Sequence, residues 1–140
     1  MQPRIQDVMT PAPVTLPATA PLRAAAEAMR DSRIGAVLVV DQADRLIGIV
    51  TDRDVVVRGV AAGADPEATA IADVATPTPL TVELDDDPED AVALMRENGI
   101  RRVPVVNGPD AVGIVSLGDL AVDRDSTSAL AEISAQPANN

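Results

Sequence analysis

The sequence predicts an α/β (α+β) protein made of two tandem copies of one β-α-β-β-α unit. Three observations support this prediction. Segments of the first half of the chain recur in the same order in the second half. Each half alternates β-branched runs with stretches whose apolar residues have helical spacing. The 140-residue chain is 46% hydrophobic and 24% charged, which is typical of a folded protein.

The internal repeat is visible in two pairs of segments. Asp-Val-Met-Thr at residues 7–10 lines up with Asp-Val-Ala-Thr at 73–76, and Gly-Ile-Val-Thr at 48–51 lines up with Gly-Ile-Val-Ser at 113–116. Ordered matches of this kind predict a duplicated structural unit. The expected organisation is a first repeat, a linker, a second repeat and a flexible C-terminal tail, at residues 1–62, 63–70, 71–123 and 124–140.

The same elements are expected in each copy. A helical turn and a short extended piece come first, followed by a helix with a proline in its first turn. Two β-branched strands joined by a turn-rich segment come next, and a last helix begins after a hydroxyl residue that can cap it. The expected bounds in the first copy are 5–8, 14–16, 20–31, 37–40 and 46–50, and in the second copy 71–74, 80–82, 88–98, 103–106 and 112–115.

Single residues within these elements also have expected roles. Gly99 is expected to end the second copy's first helix, and Gly59 the first copy's last helix. Met29 and Met95, at helical spacing, are expected to fill the core. The acidic run at residues 85–90 is explained by a solvated helix N-terminus better than by a divalent-cation site.

The composition excludes many kinds of active site. The chain has no His, Cys, Lys, Trp, Tyr or Phe, so all 11 cations are arginine. Thiolate and imidazole chemistry, Cys-ligated zinc and lysine Schiff bases are therefore excluded. A net charge of −11 and the lack of aromatic rings argue against nucleic-acid binding. No signal peptide or membrane-spanning segment is recognisable, so no membrane partner and a cytoplasmic location are expected.

The most informative segments run from Thr51 to Asp54 and from Ser116 to Asp119. In each, a buried strand leads into a helix start, with a hydroxyl at the cap and a carboxylate three residues later. One interpretation is a capping box, which is purely structural. The other is a sugar site, because a carboxylate can accept hydrogen bonds from the two vicinal hydroxyls of a ribose. The occurrence of the pattern at equivalent positions of both copies favours the second interpretation.

Together these segments resemble a tandem pair of cystathionine-β-synthase (CBS) domains, also called a Bateman module. The resemblance covers residues 5–122. It rests on the Asp-Val-Met-Thr start, on both Gly-Ile-Val-Thr/Ser-x-x-Asp segments, and on the stretches at 34–41 and 101–106. Residues 51–66 are most similar to small stand-alone actinobacterial members of the hypoxic-response type.

The resemblance implies that the copies pack about a pseudo-twofold axis and leave two clefts, and that modules pair as homodimers. No cofactor is required, but each cleft can hold an adenosyl ligand: AMP, ADP or ATP, and less often S-adenosylmethionine or NAD. The first cleft would use Thr51, Arg53, Asp54, Leu80, Ile100, Arg101 and Arg102. The second would use Ser116, Asp119, Val14, Ile34, Gly35 and Ala36.

The two clefts are expected to differ in their affinity for anions. Arg101 and Arg102 stand where the other copy has Gly35 and Ala36, and guanidinium groups bind phosphate through a planar fork of donors. The first cleft is therefore expected to be the stronger site for phosphate. The alternative is that Arg101 and Arg102 are only a surface counterweight in an acidic protein.

Two functions remain open at this point. One is a non-catalytic regulatory module that binds an adenosyl ligand and signals through dimer or partner contacts. The alternative is a ligand-free dimerisation or protein-interaction module, whose protein partner is unknown. An enzyme is not expected, because no paired acid, nucleophile or metal set accompanies the two aspartates.

Overall fold

The computed structural model describes residues 2–77, 79–124 and 133, and these form two compact units. We call residues 14–79 the continuous unit, and residues 2–13 together with 80–124 the split unit. Each unit contains a four-stranded sheet and several helices. The prediction of a mixed α/β fold is therefore confirmed.

The continuous unit has the sheet order β2-β3-β4-β5, in which β2 is parallel to β3 and the other pairs are antiparallel. Its strands are β2 (Thr15–Pro17), β3 (Ala36–Val40), β4 (Leu46–Thr51) and β5 (Thr76–Pro77). Its helices are α2 (Leu22–Ser32), α3 (Asp52–Asp54), a π-helix (Val55–Val60) and a 3₁₀ turn (Ile71–Asp73). The core of this unit contains Leu22, Ala25, Val39, Val50, Ile71 and Val74.

The split unit has the sheet order β1-β8-β7-β6, in which β6 is parallel to β7. Its strands are β1 (Thr10–Pro11), β6 (Val82–Glu83), β7 (Arg102–Asn107) and β8 (Asp110–Ser116). Its helices are α1 (Ile5–Val8), α4 (Pro88–Asn98) and α5 (Leu117–Arg124). The core of this unit contains Ile5, Val82, Ala91, Met95, Val103, Val105, Val115 and Leu120.

The compact units do not follow the two sequence repeats, because the opening segments of the repeats are exchanged. Ile5 is fully buried in the split unit, and its amide donates to the Asp86 carbonyl at 2.9 Å. Ile71 is fully buried in the continuous unit, and its amide donates to the Ala20 carbonyl at 2.8 Å. The first repeat's opening segment thus packs on the second repeat's core, and the second repeat's opening segment packs on the first repeat's core. The predicted domain boundaries at 62, 70 and 123 remain a sequence-based division.

Several predicted elements have the expected type and approximate bounds. The helical turn at 5–8 and the helix at 88–98 coincide with α1 and α4. Gly99 ends α4 with φ 62°, and its amide donates to the Met95 carbonyl, as a left-handed C-cap requires. Met95 is buried and Met29 packs against the continuous unit's core, so both methionines fill the core as expected.

The acidic run is the start of α4. The Asp87 carboxylate accepts the Glu89 amide at 2.9 Å, and Glu89 and Asp90 lie in the first turn. The prediction of a helix N-terminus is confirmed.

Other expectations were wrong in detail. The helix expected at 20–31 runs from Leu22 to Ser32, with Pro21 as its N-cap. The short strands β1 and β5 were missed, because two exposed residues that include a proline carry no strand pattern. The predicted tail at 124–140 lies, apart from Arg124 and Ile133, outside the described residues.

Gly59 was expected to end the last helix of the first copy, but it lies buried inside the π-helix. A Cβ atom on Gly59 would be 2.8 Å from Leu22 Cδ2, so this glycine lets the helix approach α2 closely. Among the described residues, no helix is long and apolar enough to cross a membrane.

The glycines of the two Gly-Ile-Val segments allow the exchanged segments to approach the sheets. A Cβ on Gly113 would be 2.9 Å from the Thr10 carbonyl oxygen and 2.6 Å from Met9 Sδ. At Gly48 the equivalent contacts are looser: 3.2 Å to the Thr76 carbonyl oxygen and 3.4 Å to Ala75 Cβ. Met9 in one unit corresponds to Ala75 in the other, which explains part of the difference.

We predict that Gly113→Ala lowers the free energy of unfolding by about 1–3 kcal/mol, because a rigid carbonyl lies in the space the methyl group needs. Gly48→Ala is the matched control and has the smaller effect. Urea unfolding of both variants checks the prediction. Equal losses in the two variants, or no loss in Gly113→Ala, would contradict it.

Candidate functional site

In the continuous unit, the hydroxyl-and-carboxylate segment lies where β4 ends and α3 begins. Thr51 Oγ1 accepts a hydrogen bond from the Asp54 amide at 3.2 Å, and Asp54 Oδ2 accepts one from the Thr51 amide at 2.9 Å. Both side chains are half-buried. The structure therefore contains a reciprocal capping box at this position.

The split unit repeats this geometry where β8 leads into α5. Ser116 Oγ accepts from the Asp119 amide at 3.1 Å, and Asp119 Oδ2 accepts from the Ser116 amide at 2.9 Å. The capping interpretation is thus confirmed in both copies.

The capping role leaves chemical capacity unused. Only Oδ2 of each carboxylate accepts a backbone amide, and each hydroxyl is used as an acceptor. An ionised carboxylate has two oxygens with about four acceptor positions, and a hydroxyl has one proton to donate. Each cap therefore presents a carboxylate oxygen, Oδ1, and a hydroxyl proton. The two hydroxyls of a vicinal diol can donate to that carboxylate oxygen and accept that hydroxyl proton.

Strand pairing fixes what lies beside each cap. Thr51 pairs with Ala36 across β4 and β3, and the Asp52 amide donates to the Gly35 carbonyl at 2.9 Å. Val14 and Ile34 belong to the same unit. The Val14 carbonyl accepts from the Leu38 amide at 3.0 Å, and Ile34 is half-buried.

In the split unit the equivalent neighbours are charged. Ser116 pairs with Arg102 across β8 and β7, and the Leu117 amide donates to the Arg101 carbonyl at 2.9 Å. Leu80 and Ile100 belong to this unit as well, with Leu80 exposed and Ile100 half-buried.

The residues predicted for each cleft are therefore divided between the units. Thr51, Arg53 and Asp54 of the first predicted cleft lie in the continuous unit, and its other four members lie in the split unit. For the second predicted cleft, Ser116 and Asp119 lie in the split unit and its other four members lie in the continuous unit. Within one unit, the structure brings together residues that were assigned to different clefts.

The cationic side chains near the caps are accessible. Arg53 and Arg101 are exposed, and neither forms an ion pair within the part of the chain that the structure describes. Arg102 is half-buried. The guanidinium groups of Arg53 and Arg101 are therefore suited to bind a phosphate.

One residue that sequence reasoning missed is Arg58, on the π-helix. Its Nε lies 3.9 Å from Asp54 Oδ1, and its Nη1 lies 3.5 Å from the Val74 carbonyl oxygen and 3.4 Å from that of Ala75. The available signal was the spacing of four residues between Asp54 and Arg58, which places oppositely charged side chains on one helix face.

Within residues 2–77, 79–124 and 133, no group of three or more His, Cys, Asp or Glu side chains is placed to hold a metal ion.

The family follows from a comparison with known protein families. The model of the CBS domain matches residues 5–59 and again residues 71–122. The chain belongs to the CBS domain family. The matched ranges correspond to the two sequence repeats, and the resemblance drawn from the motifs is confirmed.

Two relatives are similar over most of the chain. Hypoxic response protein 1 of Mycobacterium tuberculosis is 39% identical over 100 residues, which cover 71% of this chain and 70% of the relative. A crystal structure of hypoxic response protein I with two coordinated zinc ions matches with a TM-score of 0.77 and 34% identity, covering 85% of this chain and 97% of that one.

A third relative is a CBS domain protein from Pyrobaculum aerophilum, solved in complex with AMP. It matches with a TM-score of 0.80 and 31% identity, covering 93% of this chain and 99% of the other.

We predict that Thr51→Ala and Ser116→Ala each lower the free energy of unfolding by about 1 kcal/mol, because each removes the acceptor for an amide at a helix start. Thr19→Ala, at an exposed turn residue, is the control and leaves stability within about 0.5 kcal/mol of wild type. Urea unfolding measures all three variants. An unchanged midpoint for both cap variants would show that these hydrogen bonds contribute nothing.

Proposed function

We propose that this protein is a non-catalytic regulatory module that binds an adenosyl ligand of the AMP, ADP or ATP type. Its output passes through contacts with a second copy or with another protein. The observation that carries this proposal is the duplicated cap. Each copy presents a hydroxyl and a carboxylate oxygen beyond those the helix start uses. The AMP complex of the Pyrobaculum relative supports the choice of ligand class.

The sugar-binding role is proposed for Thr51 with Asp54, and for Ser116 with Asp119. A ribose presents two adjacent hydroxyls, and both can donate to a carboxylate oxygen that has free lone pairs. The capping hydrogen bonds hold the carboxylate in place before a ligand arrives, so binding requires little further ordering of that side chain.

The phosphate-binding role is proposed for Arg101 and Arg102, with Arg53 as a further cation. Arg53 lies in the same unit as Asp54, and Arg101 and Arg102 lie in the unit that contains Asp119. The resemblance to CBS pairs assigns all three to the ligand site of Asp54, and on that assignment this site is the better match to a charged ligand. At the position of Arg53, the second copy has Gly118. In the site that uses Asp54, an adenine would contact aliphatic side chains such as Leu80 and Ile100. In the site that uses Asp119, it would contact Val14, Ile34, Ala36 and the backbone of Gly35. Without aromatic rings to stack on, the expected affinity is modest.

A second candidate function is supported by an exposed apolar surface. Val56, Val57 and Val60 on the π-helix are 58%, 48% and 68% exposed. Three neighbouring exposed valines favour a contact surface, since apolar surface gains free energy when it is removed from water. A dimerisation or protein-interaction module with no ligand would use this surface alone.

A ligand screen tests the proposed function. We expect one of AMP, ADP, ATP, NAD or S-adenosylmethionine to raise the melting temperature, with a calorimetric titration giving its dissociation constant. At about 100 times that constant, the ligand stabilises the fold by roughly 2.7 kcal/mol. No stabilisation by any of the five at millimolar concentration would contradict the proposal and favour the ligand-free module.

The ranking of the two copies is tested by a matched pair of substitutions. Asp54→Ala is expected to weaken binding of the phosphate-bearing ligand at least about tenfold, because it removes a charged acceptor of the sugar hydroxyls. Asp119→Ala is expected to have the smaller effect. Calorimetric titration of both variants measures this. A loss in Asp119→Ala without a loss in Asp54→Ala would reverse the ranking.

A further inference from the structure

Arg58 lies opposite the one oxygen of Asp54 that the cap leaves free. Oδ2 accepts the Thr51 amide at 2.9 Å, whereas Oδ1 lies 3.9 Å from Arg58 Nε. The Asp54 side chain is 14% exposed, and that of Arg58 is 52% exposed. The charge pair is therefore partly shielded from water on the aspartate side, where solvent screening is weaker.

The guanidinium of Arg58 has a second set of contacts. Its Nη1 approaches the carbonyl oxygens of Val74 and Ala75, at 3.5 and 3.4 Å, just before β5. These carbonyls belong to the exchanged opening segment of the second repeat. The guanidinium thus lies between that backbone and the Asp54 carboxylate, which restricts its orientation.

The distance to Asp54 decides what Arg58 can do there. At 3.9 Å, Nε is beyond the roughly 2.7–3.2 Å of an N–H···O hydrogen bond, so it does not occupy the Oδ1 lone pairs. Opposite charges at about 4 Å still attract each other appreciably near a protein surface. The contact therefore holds the carboxylate while leaving Oδ1 able to accept a hydrogen bond from a ligand.

The second copy has no arginine at the equivalent position. At the position equivalent to Arg58, four residues after Asp119, the sequence has Asp123. The side chain at this position is therefore positive in the first copy and negative in the second. Both copies have the capping box, but only the first has the arginine.

We propose that Arg58 is a positioning residue for Asp54, holding Oδ1 in the orientation in which it accepts the hydroxyls of a ligand's sugar. The inference rests on the proposed function, because it concerns how the same carboxylate binds. Arg58 itself does not touch the ligand. Together with Arg53, it distinguishes the surroundings of Asp54 from those of Asp119.

The experiment compares Arg58→Met with Arg58→Lys, and uses Arg45→Met, at an exposed turn, as the matched control. Adenosine, AMP and 2′,3′-dideoxyadenosine are titrated by ligand-observed NMR, which detects weak binding. Arg58→Met is expected to weaken adenosine and AMP equally, by about two- to fivefold, the range for a partly exposed ion pair. Dideoxyadenosine lacks both hydroxyls, so its affinity is expected to be the same for Arg58→Met and for the wild-type protein. Arg58→Lys restores most of the loss because it keeps the positive charge.

Three results would overturn the proposal. A loss for AMP alone would mean that Arg58 contacts the phosphate. An equal loss for all three ligands would mean that the substitution disturbs the fold. Wild-type affinity for every ligand in Arg58→Met would mean that Arg58 has no role in binding.

A ligand-independent measurement separates this proposal from the proposed function. Hydrogen exchange of the Thr51 amide, which donates to Asp54 Oδ2, is expected to become faster in Arg58→Met. The Ser116 amide of the second copy is the internal control and stays unchanged. If the wild-type protein binds no adenosyl ligand, the proposed function is refuted. The exchange rate of the Thr51 amide then still tests whether Arg58 positions Asp54. Faster exchange supports the positioning of Asp54, and unchanged exchange overturns it.

Discussion

The close approach of each repeat's opening segment to the other repeat's sheet is the constraint on which the remaining structure depends. It brings β1 against β8 and β5 against β4, with Pro11 opposite Gly113 and Pro77 opposite Gly48. A side chain at either glycine would meet backbone of the exchanged segment. Each glycine lies inside its strand, and the strand ends three residues later at the capping hydroxyl. The glycines therefore fix the position of the strands that carry Thr51 and Ser116.

The capping box and the proposed sugar site are compatible uses of the same residues. A helix start needs acceptors for its free amides, and each cap supplies one hydroxyl oxygen and one carboxylate oxygen. The cap's own amides do not use the other carboxylate oxygen or the hydroxyl proton. In this arrangement folding and ligand binding draw on different atoms of one pair of side chains, so a stable fold already orders the groups that the proposed ligand needs.

Sequence reasoning recovered the elements that depend on local chemistry. The capping residues, the Gly99 terminus, the acidic start of α4 and the β-branched strands follow from side-chain properties that act within a few residues. It did not recover the exchange of opening segments, because a repeat shows that two segments are alike and not which core each one packs on. The π-helix was also missed, since Val55–Val60 contains nothing that separates it from an α-helix. Its position is set by the buried contact between Gly59 and Leu22, a tertiary effect.

The composition limits how the two copies can differ. With no Lys, His or aromatic residue, the chain can add positive charge to a site only through arginine. The caps are nearly identical in geometry, so the differences lie around them: Arg53 against Gly118, Arg58 against Asp123, and Arg101–Arg102 against Gly35–Ala36. Arg53 and Arg58 lie in the unit that contains Asp54, whereas Arg101 and Arg102 lie beside the Ser116 cap in the unit that contains Asp119. A chain with a net charge of −11 repels anionic ligands over most of its surface, so local cations decide where an anion is held. Duplication kept one backbone geometry, and charge substitution around it made the two copies unequal.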